Sequence, residues 1–271
     1  MKPTKLIWAL TGAAALFAAV PQIPAEDKPA VPPTEEKKVD PQAVAMLQRA
    51  VDYLAAAKQY SVTAELWTDA VVNEGVTAQF TKVLDIKLRR PDRVQVNVKT
   101  AAPKRSFYYD GKNLTLADHV TGTYGIFATP PTIDETLAKA EEVYGVVFPI
   151  DDILLSKPFG NGADHARSGQ YLGAEPVLGT LCHHVAFQSE GVDWQVWIQE
   201  GPRPLVRKAM MVSTDPEDAG RLTVNFKDWD LATKLPDFVF SFTPPADAMK
   251  IEVLPLEVPA ANEAKSEKPA K

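Results

Sequence analysis

The side chains that most often carry catalysis or bind metal ions are few in this chain and widely spaced. The 271 residues include four histidines and a single cysteine. His183 and His184 are adjacent, and neighbouring residues of a strand point to opposite faces, so they would not ligate one metal ion together. No HExxH, paired CxxC or GxSxG pattern occurs. The sequence therefore predicts no metal site, no cofactor and no catalytic residue, and we interpret His119, His165, His183 and His184 as surface or sheet-face residues.

Two further features have a chemical and a structural interpretation. Asp151 and Asp152 precede the apolar run 153–155, a context more typical of a helix start or a turn than of a catalytic carboxylate pair. Cys182 is the only cysteine, so the chain cannot form an internal disulfide. We interpret Cys182 as a buried strand thiol, with a reactive or metal-binding role as the alternative. Its position deep in the chain also excludes lipid attachment at an export cleavage site.

Composition limits the class of protein. Lys and Arg number 29 against 35 Asp and Glu, for a net charge of −6, whereas a nucleic-acid binder needs a concentrated basic face. Hydrophobic residues make up 45% of the chain, which is enough to bury a core. No GxGxxG or GxxxxGK[ST] phosphate-binding pattern is present. We therefore expect a folded domain without a nucleic-acid partner.

The amino terminus has the pattern of a secretory signal peptide. Lys2 and Lys5 precede an apolar run over residues 6–20, and small residues follow up to Ala25. The run is shorter than the roughly 20 residues that cross a bilayer. We predict cleavage after Ala25, with an uncleaved anchor as the alternative. Loss of the two lysines makes the net charge −8, which disfavours attachment to anionic lipid and stable membrane insertion.

Composition also divides the exported chain. Residues 26–39 are charged and proline-rich, with little to bury, and predict a flexible leader. Residues 256–271 have the same character and predict a disordered tail. Between them, residues 40–255 show no linker-like segment and no fixed repeat. They predict a single domain that follows the signal peptide at residues 1–25.

Two helices are predicted within this domain. Asp40 and Pro41 form an N-cap and a first-turn proline, and apolar residues then recur every three or four positions. Thr132 and Glu135 form a capping box that starts the second helix. The apolar face of the first helix comprises Val44, Leu47, Val51 and Leu54, and that of the second comprises Ile133, Leu137, Ala140 and Tyr144.

The remaining segments alternate in polarity with a period of two, which predicts half-buried antiparallel strands. A turn at residues 110–113 predicts a hairpin. The expected strands cover residues 80–88, 93–99, 182–188, 193–199, 205–213, 222–228 and 238–242. Because strands and helices do not alternate strictly, we predict an α+β fold: a large curved antiparallel sheet, forming an unclosed β-barrel with the helices on its concave side.

A curled sheet with an apolar inner face encloses a cavity when its own chain does not fill it. The helix near residues 132–146 is the natural lid. Close packing as an ordinary core is the alternative, because both arrangements require the same alternation. The predicted lining residues are Phe80, Leu84, Ile86, Leu88, Val94, Val96, Trp194, Val196, Leu222, Val224, Phe226, Phe240 and Phe242.

Four segments resemble known exported proteins. Residues 88–94, which contain Arg90 and Pro91, and residues 109–114 resemble the Arg-Pro strand and the Asp-Gly-Lys hairpin of the periplasmic lipoprotein carriers of LolA/LolB type. Residues 193–198 and 240–245 resemble a family of predicted periplasmic proteins of unknown function with this carrier-like fold. Over residues 40–254 the resemblance implies a periplasmic, unclosed barrel with a helical lid over a hydrophobic cavity, and it implies that Arg90 helps to hold the lid. The middle of the chain is longer than in the carriers.

Together, these observations predict a non-enzymatic periplasmic protein. It would bind a lipid, an acyl chain, including that of a lipoprotein, or another hydrophobic ligand, as a carrier or chaperone. The alternative is a sensor or regulatory module whose ligand occupancy controls binding to a protein partner, and a packed structural domain is a third possibility. Transient docking on an envelope protein is the expected route to a membrane. The predicted lid residues are Arg90, Ile133, Leu137 and Tyr144.

Overall fold

A computed structural model of the chain describes residues 39–256, apart from residues 73–74, 101–103, 149, 160–162 and 216–219. The predicted signal peptide, all but the last residue of the predicted leader and nearly all of the predicted tail lie outside the described residues. These three predictions therefore remain predictions. Over the part that is described, no helix is long and apolar enough to span a bilayer.

Both predicted helices are present. Helix α1 covers Pro41–Ala56, and the side chain of Asp40 caps it by accepting a 2.8 Å hydrogen bond from the Gln42 N–H. Helix α2 covers Ile133–Tyr144. Its capping box forms as predicted, because the Thr132 hydroxyl accepts a bond from the Glu135 N–H and donates one to the Glu135 carboxylate.

The described residues contain twelve strands, which form one sheet. In chain order they are β1 (Gln59–Val72), β2 (Val76–Arg89), β3 (Arg93–Lys99), β4 (Arg105–Tyr109), β5 (Asn113–Asp118), β6 (Thr123–Ala128), β7 (Ser168–Val177), β8 (Thr180–Ser189), β9 (Val192–Gln199), β10 (Val206–Ser213), β11 (Arg221–Asp230) and β12 (Met249–Ile251). The spatial order is β12-β6-β5-β4-β3-β2-β1-β11-β10-β9-β8-β7. All neighbours are antiparallel except β12, which runs parallel to β6. The two end strands, β12 and β7, do not pair, so the barrel is unclosed and the predicted fold class is confirmed.

The inner face of the sheet is apolar and is covered by the two helices. The inner face carries the side chains of Leu84, Ile86 and Leu88, all nearly inaccessible to solvent. Both helices contribute to the one large apolar core on this face, and α1 packs against the β7–β9 end. The helices therefore lie on the same side of the sheet, as predicted.

The predicted strand at 238–242 is wrong. Residues Asp237–Phe240 form a short 3-10 helix, closed by a 3.1 Å hydrogen bond from the Val239 N–H to the Pro236 carbonyl. The aromatic alternation at this segment looks like that of a strand, but the burial of the side chains does not follow it: Phe238 is 77% exposed and Phe240 is fully buried. Nearby prolines, which lack an N–H donor, also disfavour ladder pairing.

Candidate ligand-binding site

The inner face is an almost continuous apolar layer. Strands β2 and β3 contribute residues that alternate with polar ones, so their side chains point to the same face and pack against the helices. The predicted lining residues Leu84, Ile86, Leu88, Val94, Val96, Val196, Leu222, Val224 and Phe226 are all at most 4% exposed in this layer. Trp194 packs against the same core and stacks on Phe187, with ring centroids 4.4 Å apart. Most of the predicted lining set is therefore close-packed in this conformation.

A small cavity remains between this face and α2. Its volume is about 10 Å³, which is room for about one water molecule. Of the residues predicted from the sequence, Val94, Ile133 and Leu137 line it. The complete lining is Val94, Phe107, Tyr109, Leu114, Ile133, Thr136, Leu137 and Phe148.

The lining residues that the sequence analysis missed have a detectable signal. Tyr109 and Phe107 of β4 lie opposite Val94 and Val96 of β3 in the antiparallel register. Residues directly opposite each other share a face, so the pairing of β3 with β4 would have placed both aromatic rings beside Val94. Phe148 has no comparable signal, because it reaches the cavity from an irregular segment. Its ring packs on that of Phe107, with centroids 4.7 Å apart.

No free polar group faces the cavity. Two of its lining residues carry hydroxyl groups, and both hydroxyls donate to the carbonyl of Pro130, from Tyr109 at 2.7 Å and from Thr136 at 3.2 Å. This shared acceptor satisfies both donors at the rim, next to the start of α2. The remaining lining residues are purely apolar, so the cavity suits hydrocarbon better than a polar molecule.

Helix α2 is anchored to the sheet at both ends. At its start, the Ile133 N–H donates a 2.9 Å hydrogen bond to the Pro91 carbonyl. Towards its end, the Tyr144 ring packs on Phe127 of β6, with centroids 4.0 Å apart. Leu137 lies between these two points and is buried against the inner face.

The segment after α2 completes the covering of the inner face. We call α2 together with residues 146–148 and 150–159 the cover. Tyr60 of β1 donates a 2.5 Å hydrogen bond to the Ile153 carbonyl, and Arg90 donates from Nη1 to the Leu154 carbonyl at 3.2 Å. The hydrogen bond from Arg90 thus goes to the segment that follows α2 and not to the helix itself.

The two parts of the cover are also bonded to each other. The side chain of Asp134, in the first turn of α2, accepts hydrogen bonds from the N–H and the hydroxyl of Ser156, at 2.9 and 2.6 Å. These bonds join the start of the helix to the end of the segment.

Two carboxyl groups of the cover have raised pKa values. Burial, reinforced by the nearby carboxylates of Asp152 and Glu141, raises the pKa of Asp151 to about 7. Burial also raises the pKa of Asp152. Asp151 opens a short 3-10 helix, Asp151–Ile153, as the prediction of a helix start or turn expects.

Three aromatic residues from the predicted lining set lie elsewhere. Phe80 is 50% exposed, because β2 continues beyond the core towards the tip of the β1–β2 hairpin. Phe240 is buried on the outer face, under the guanidinium of Arg89, which alternates with the inner-facing Leu88. Phe242 packs between Tyr108 and another tyrosine of that outer face, Tyr124. The predicted placement of Phe240 and Phe242 on the inner face is therefore wrong, whereas Phe80 keeps the register of Leu84 but lies beyond the buried core.

This outer-face packing belongs to the chain segment that links β11 to β12. Arg89 holds the segment by donating to the Leu235 carbonyl at 2.8 Å and pairing with the carboxylate of Asp237. Alternation with a period of two cannot distinguish a phenylalanine in a strand of the sheet from one in a segment that packs across the outer face. Only the path of the linking segment decides which face Phe240 covers.

His183, His184 and Cys182 lie next to one another on β8. His183 contacts the Tyr171 hydroxyl through Nδ1 at 3.0 Å, whereas His184 stacks on Trp197 on the other face, so the two rings point to opposite faces as predicted. Among the described residues, no group of three potential ligands is close enough to hold a metal ion. Cys182 is fully buried on β8, and burial raises its pKa to about 11, which disfavours the reactive thiolate.

A second depression, of about 250 Å³, lies over strands β7–β9. Side chains from alternate positions, Gln170, Ala186 and Gln195, share the outer face there. The lining also contains Phe187 and the predicted lining residue Trp194, but the polar side chains of Gln170, Asp193 and Gln195 distinguish this depression from the cavity under α2. We therefore take the cavity under α2 as the candidate site for an apolar ligand.

Several solved structures are similar to the chain. Mycobacterium tuberculosis lipoprotein LppX is 13% identical over 73% of this chain and 100% of its own, with a TM-score of 0.46. A LolA superfamily protein from Nitrosomonas europaea is 10% identical over 74% and 97%, with a TM-score of 0.40. The Pseudomonas aeruginosa MucA/MucB complex contains a chain that is 11% identical over 74% and 61%, with a TM-score of 0.40.

No curated protein sequence is significantly similar to this chain. A family match, however, covers nearly the whole of the described region. Residues 43–254 match the family described as predicted periplasmic protein (DUF2092). Because this match spans far more than half of the chain, the protein belongs to that family and is a periplasmic protein.

Proposed function

We propose that this protein is a non-enzymatic periplasmic carrier or chaperone that binds a lipid, an acyl chain or another hydrophobic ligand between the inner face of the sheet and the cover. The observation that carries the proposal is the lining of the cavity under α2. Six of its eight residues are apolar, and the hydroxyls of Tyr109 and Thr136 are both directed to the Pro130 carbonyl. Such a lining offers dispersion contacts and no free polar group to a ligand.

Ligand entry requires movement of the cover. A volume of about 10 Å³ excludes even a short acyl chain. To bind, the acyl chain would have to replace the contacts that Leu137 and Phe148 make with the sheet. Each buried CH₂ group contributes about 0.8 kcal/mol, which offsets the cost of separating these apolar surfaces. The bonds between Asp134 and Ser156 keep the two parts of the cover together during this movement.

The first test identifies the natural ligand. Protein purified from the native periplasm is extracted with organic solvent, and the extract is analysed by mass spectrometry beside that of a mock purification. We expect a lipid or another apolar molecule in stoichiometric amount. A clean extract, together with no saturable binding of a neutral apolar dye such as N-phenylnaphthylamine, would refute the proposal and favour a packed structural domain.

A matched pair of variants tests the location of the site. Val94 and Val224 are both buried on the inner face, but only Val94 lines the cavity. Val94→Phe fills the cavity, whereas Val224→Phe adds the same volume elsewhere in the core. We expect Val94→Phe to weaken dye binding much more than Val224→Phe when both variants are folded by thermal melting. Equal effects would place the ligand outside the cavity.

A further inference from the structure

Arg90 carries an unused pair of hydrogen-bond donors under the cover. Its Nη1 donates to the Leu154 carbonyl at 3.2 Å, but its Nε and Nη2 are shielded from solvent and have no partner. None of the ion pairs among the described residues includes Arg90. The guanidinium is therefore a half-buried cation without a counter-ion, which folded proteins generally avoid.

The two unused donors lie on the same edge of the guanidinium group. Nε–H and the nearer N–H of Nη2 point in parallel from this edge, and the pair matches the two oxygen atoms of a carboxylate or phosphate. Nη1, on the far side, holds the cover. Arg90 can therefore keep its bond to the cover and accept an anion at the same time.

Arg90 does not itself line the proposed ligand cavity, but it is linked to the lining through its neighbour in the chain. Pro91, the next residue in the chain, accepts the hydrogen bond from the Ile133 N–H, and Ile133 lines the cavity. On the other side of Arg90 are the Leu154 carbonyl and Tyr60, whose hydroxyl is already bonded to Ile153. Tyr60 is close enough for the charge of Arg90 to lower its pKa, although burial has the larger effect and raises it. In the part of the chain that the structure describes, no carboxylate is paired with Arg90.

We infer that Arg90 binds the anionic headgroup of an amphiphilic ligand whose hydrocarbon chain occupies the cavity under α2. The inference rests on the proposed function and specifies its ligand class: an amphiphile with a carboxylate or phosphate at one end. Two oxygen atoms of the headgroup accept hydrogen bonds from Nε and Nη2 and neutralise the positive charge of Arg90. The hydrocarbon chain of the ligand contacts Val94, Leu114 and Leu137.

The test compares ligands that share a chain and differ in headgroup. Dodecanoate, dodecyl phosphate and dodecanol are measured at pH 8 by their displacement of N-phenylnaphthylamine from the full-length mature protein. We expect one of the anions to bind about 10- to 100-fold more tightly than the alcohol, the range of a charged hydrogen-bonded pair. The tighter anion identifies the headgroup as a carboxylate or a phosphate.

Variants then assign the preference to Arg90. The readout is the ratio of the affinities for the anion and for dodecanol, because loss of the bond to the Leu154 carbonyl would change both affinities together; Arg90→Met should bring this ratio to about 1. Arg90→Lys, which keeps the charge but not the forked edge, should retain only part of the preference for the anion, and this variant keeps the test valid if Arg90→Met does not fold. Arg105→Met removes an exposed guanidinium that pairs with Asp118 and serves as the control for net charge.

The outcomes separate the two proposals. If all three ligands bind equally to the wild type, or if Arg90→Met keeps the anion preference, the headgroup assignment is overturned while the proposed function stands. If none of the ligands displaces the dye and the dye itself does not bind saturably, the proposed function fails and the headgroup site fails with it.

Discussion

The Tyr60 hydroxyl lies 2.5 Å from the Ile153 carbonyl, although 93 residues separate them in the chain. This hydrogen bond joins β1, near the middle of the sheet order, to the segment that follows α2. Tyr60 is fully buried, so neither group has water as an alternative partner. The bond therefore ties the cover to the sheet at a point far from the start of α2.

Tyr60→Phe removes this bond and leaves the Ile153 carbonyl buried without its donor. We expect a loss of about 1–3 kcal/mol in the free energy of unfolding, measured by urea denaturation, and faster proteolysis of the cover. Tyr108→Phe is the matched control, because Tyr108 uses its ring against Phe242. A Tyr60→Phe protein as stable as the control would show that the bond does not hold the cover.

Asp151 should make stability depend on pH. Its pKa is about 7 in the folded protein and ordinarily 3.8, so between these values the folded protein binds a proton that the unfolded chain has released. Stability from this group is complete below pH 3.8 and is lost as the pH rises through about 7. We expect Asp151→Asn to gain stability relative to the wild type between pH 4.5 and pH 8.

The measurement is the difference in unfolding free energy between variant and wild type at pH 4.5, 6 and 8. Asp164→Asn, which changes an exposed carboxylate of the same connection between α2 and β7, controls for net charge. A difference that stays constant with pH would mean that Asp151 is not protonated in the folded protein at pH 4.5.

Phe240 should matter for stability but not for ligand binding. Its ring is fully buried on the outer face under Arg89. Phe240→Ala should lower the free energy of unfolding by about 3–5 kcal/mol and leave the affinity for N-phenylnaphthylamine unchanged at a temperature where the variant is folded. A specific loss of dye affinity in the folded variant would contradict its assignment to the outer face.

Gly125 should be required for the docking of the carboxy-terminal strand. A Cβ atom at Gly125 would lie 2.3 Å from Val253 Cγ2, a separation that forces the valine to move. Gly125→Ala should cost about 1–3 kcal/mol and expose residues 249–256 to proteolysis. Val253→Ala should relieve most of this cost in the double variant, and strictly additive effects in the cycle would show that the two residues are not coupled.

A further relationship connects this strand to the cover. Beyond β12, the Leu256 N–H donates a 2.7 Å hydrogen bond to the Val143 carbonyl of α2. A Cβ atom on Gly145 would lie only 3.2 Å from the two Cδ atoms of Leu256. Gly145 has a φ of +64° and ends α2, so glycine suits it both for its backbone conformation and for this close contact.

Local patterns in the sequence determined the elements of this protein and their class. The helix at Asp40–Pro41 and the capping box at Thr132–Glu135 are decided by residues within one turn, and both were predicted correctly. The alternation around Ile86 and Val96 likewise determined which side chains share a face. These features depend on neighbours in the chain, so the sequence alone is sufficient for them.

Only the tertiary structure decided what covers each face. Val94 and Phe226 follow the same alternation, yet the cavity under α2 is lined by Val94 and not by Phe226. Phe240 belongs to the outer face because the chain after β11 crosses that side before it reaches β6. Arg90 keeps two unpaired donors because the cover supplies only one carbonyl to its guanidinium. Each of these facts depends on contacts between distant segments, which periodicity along the chain does not encode.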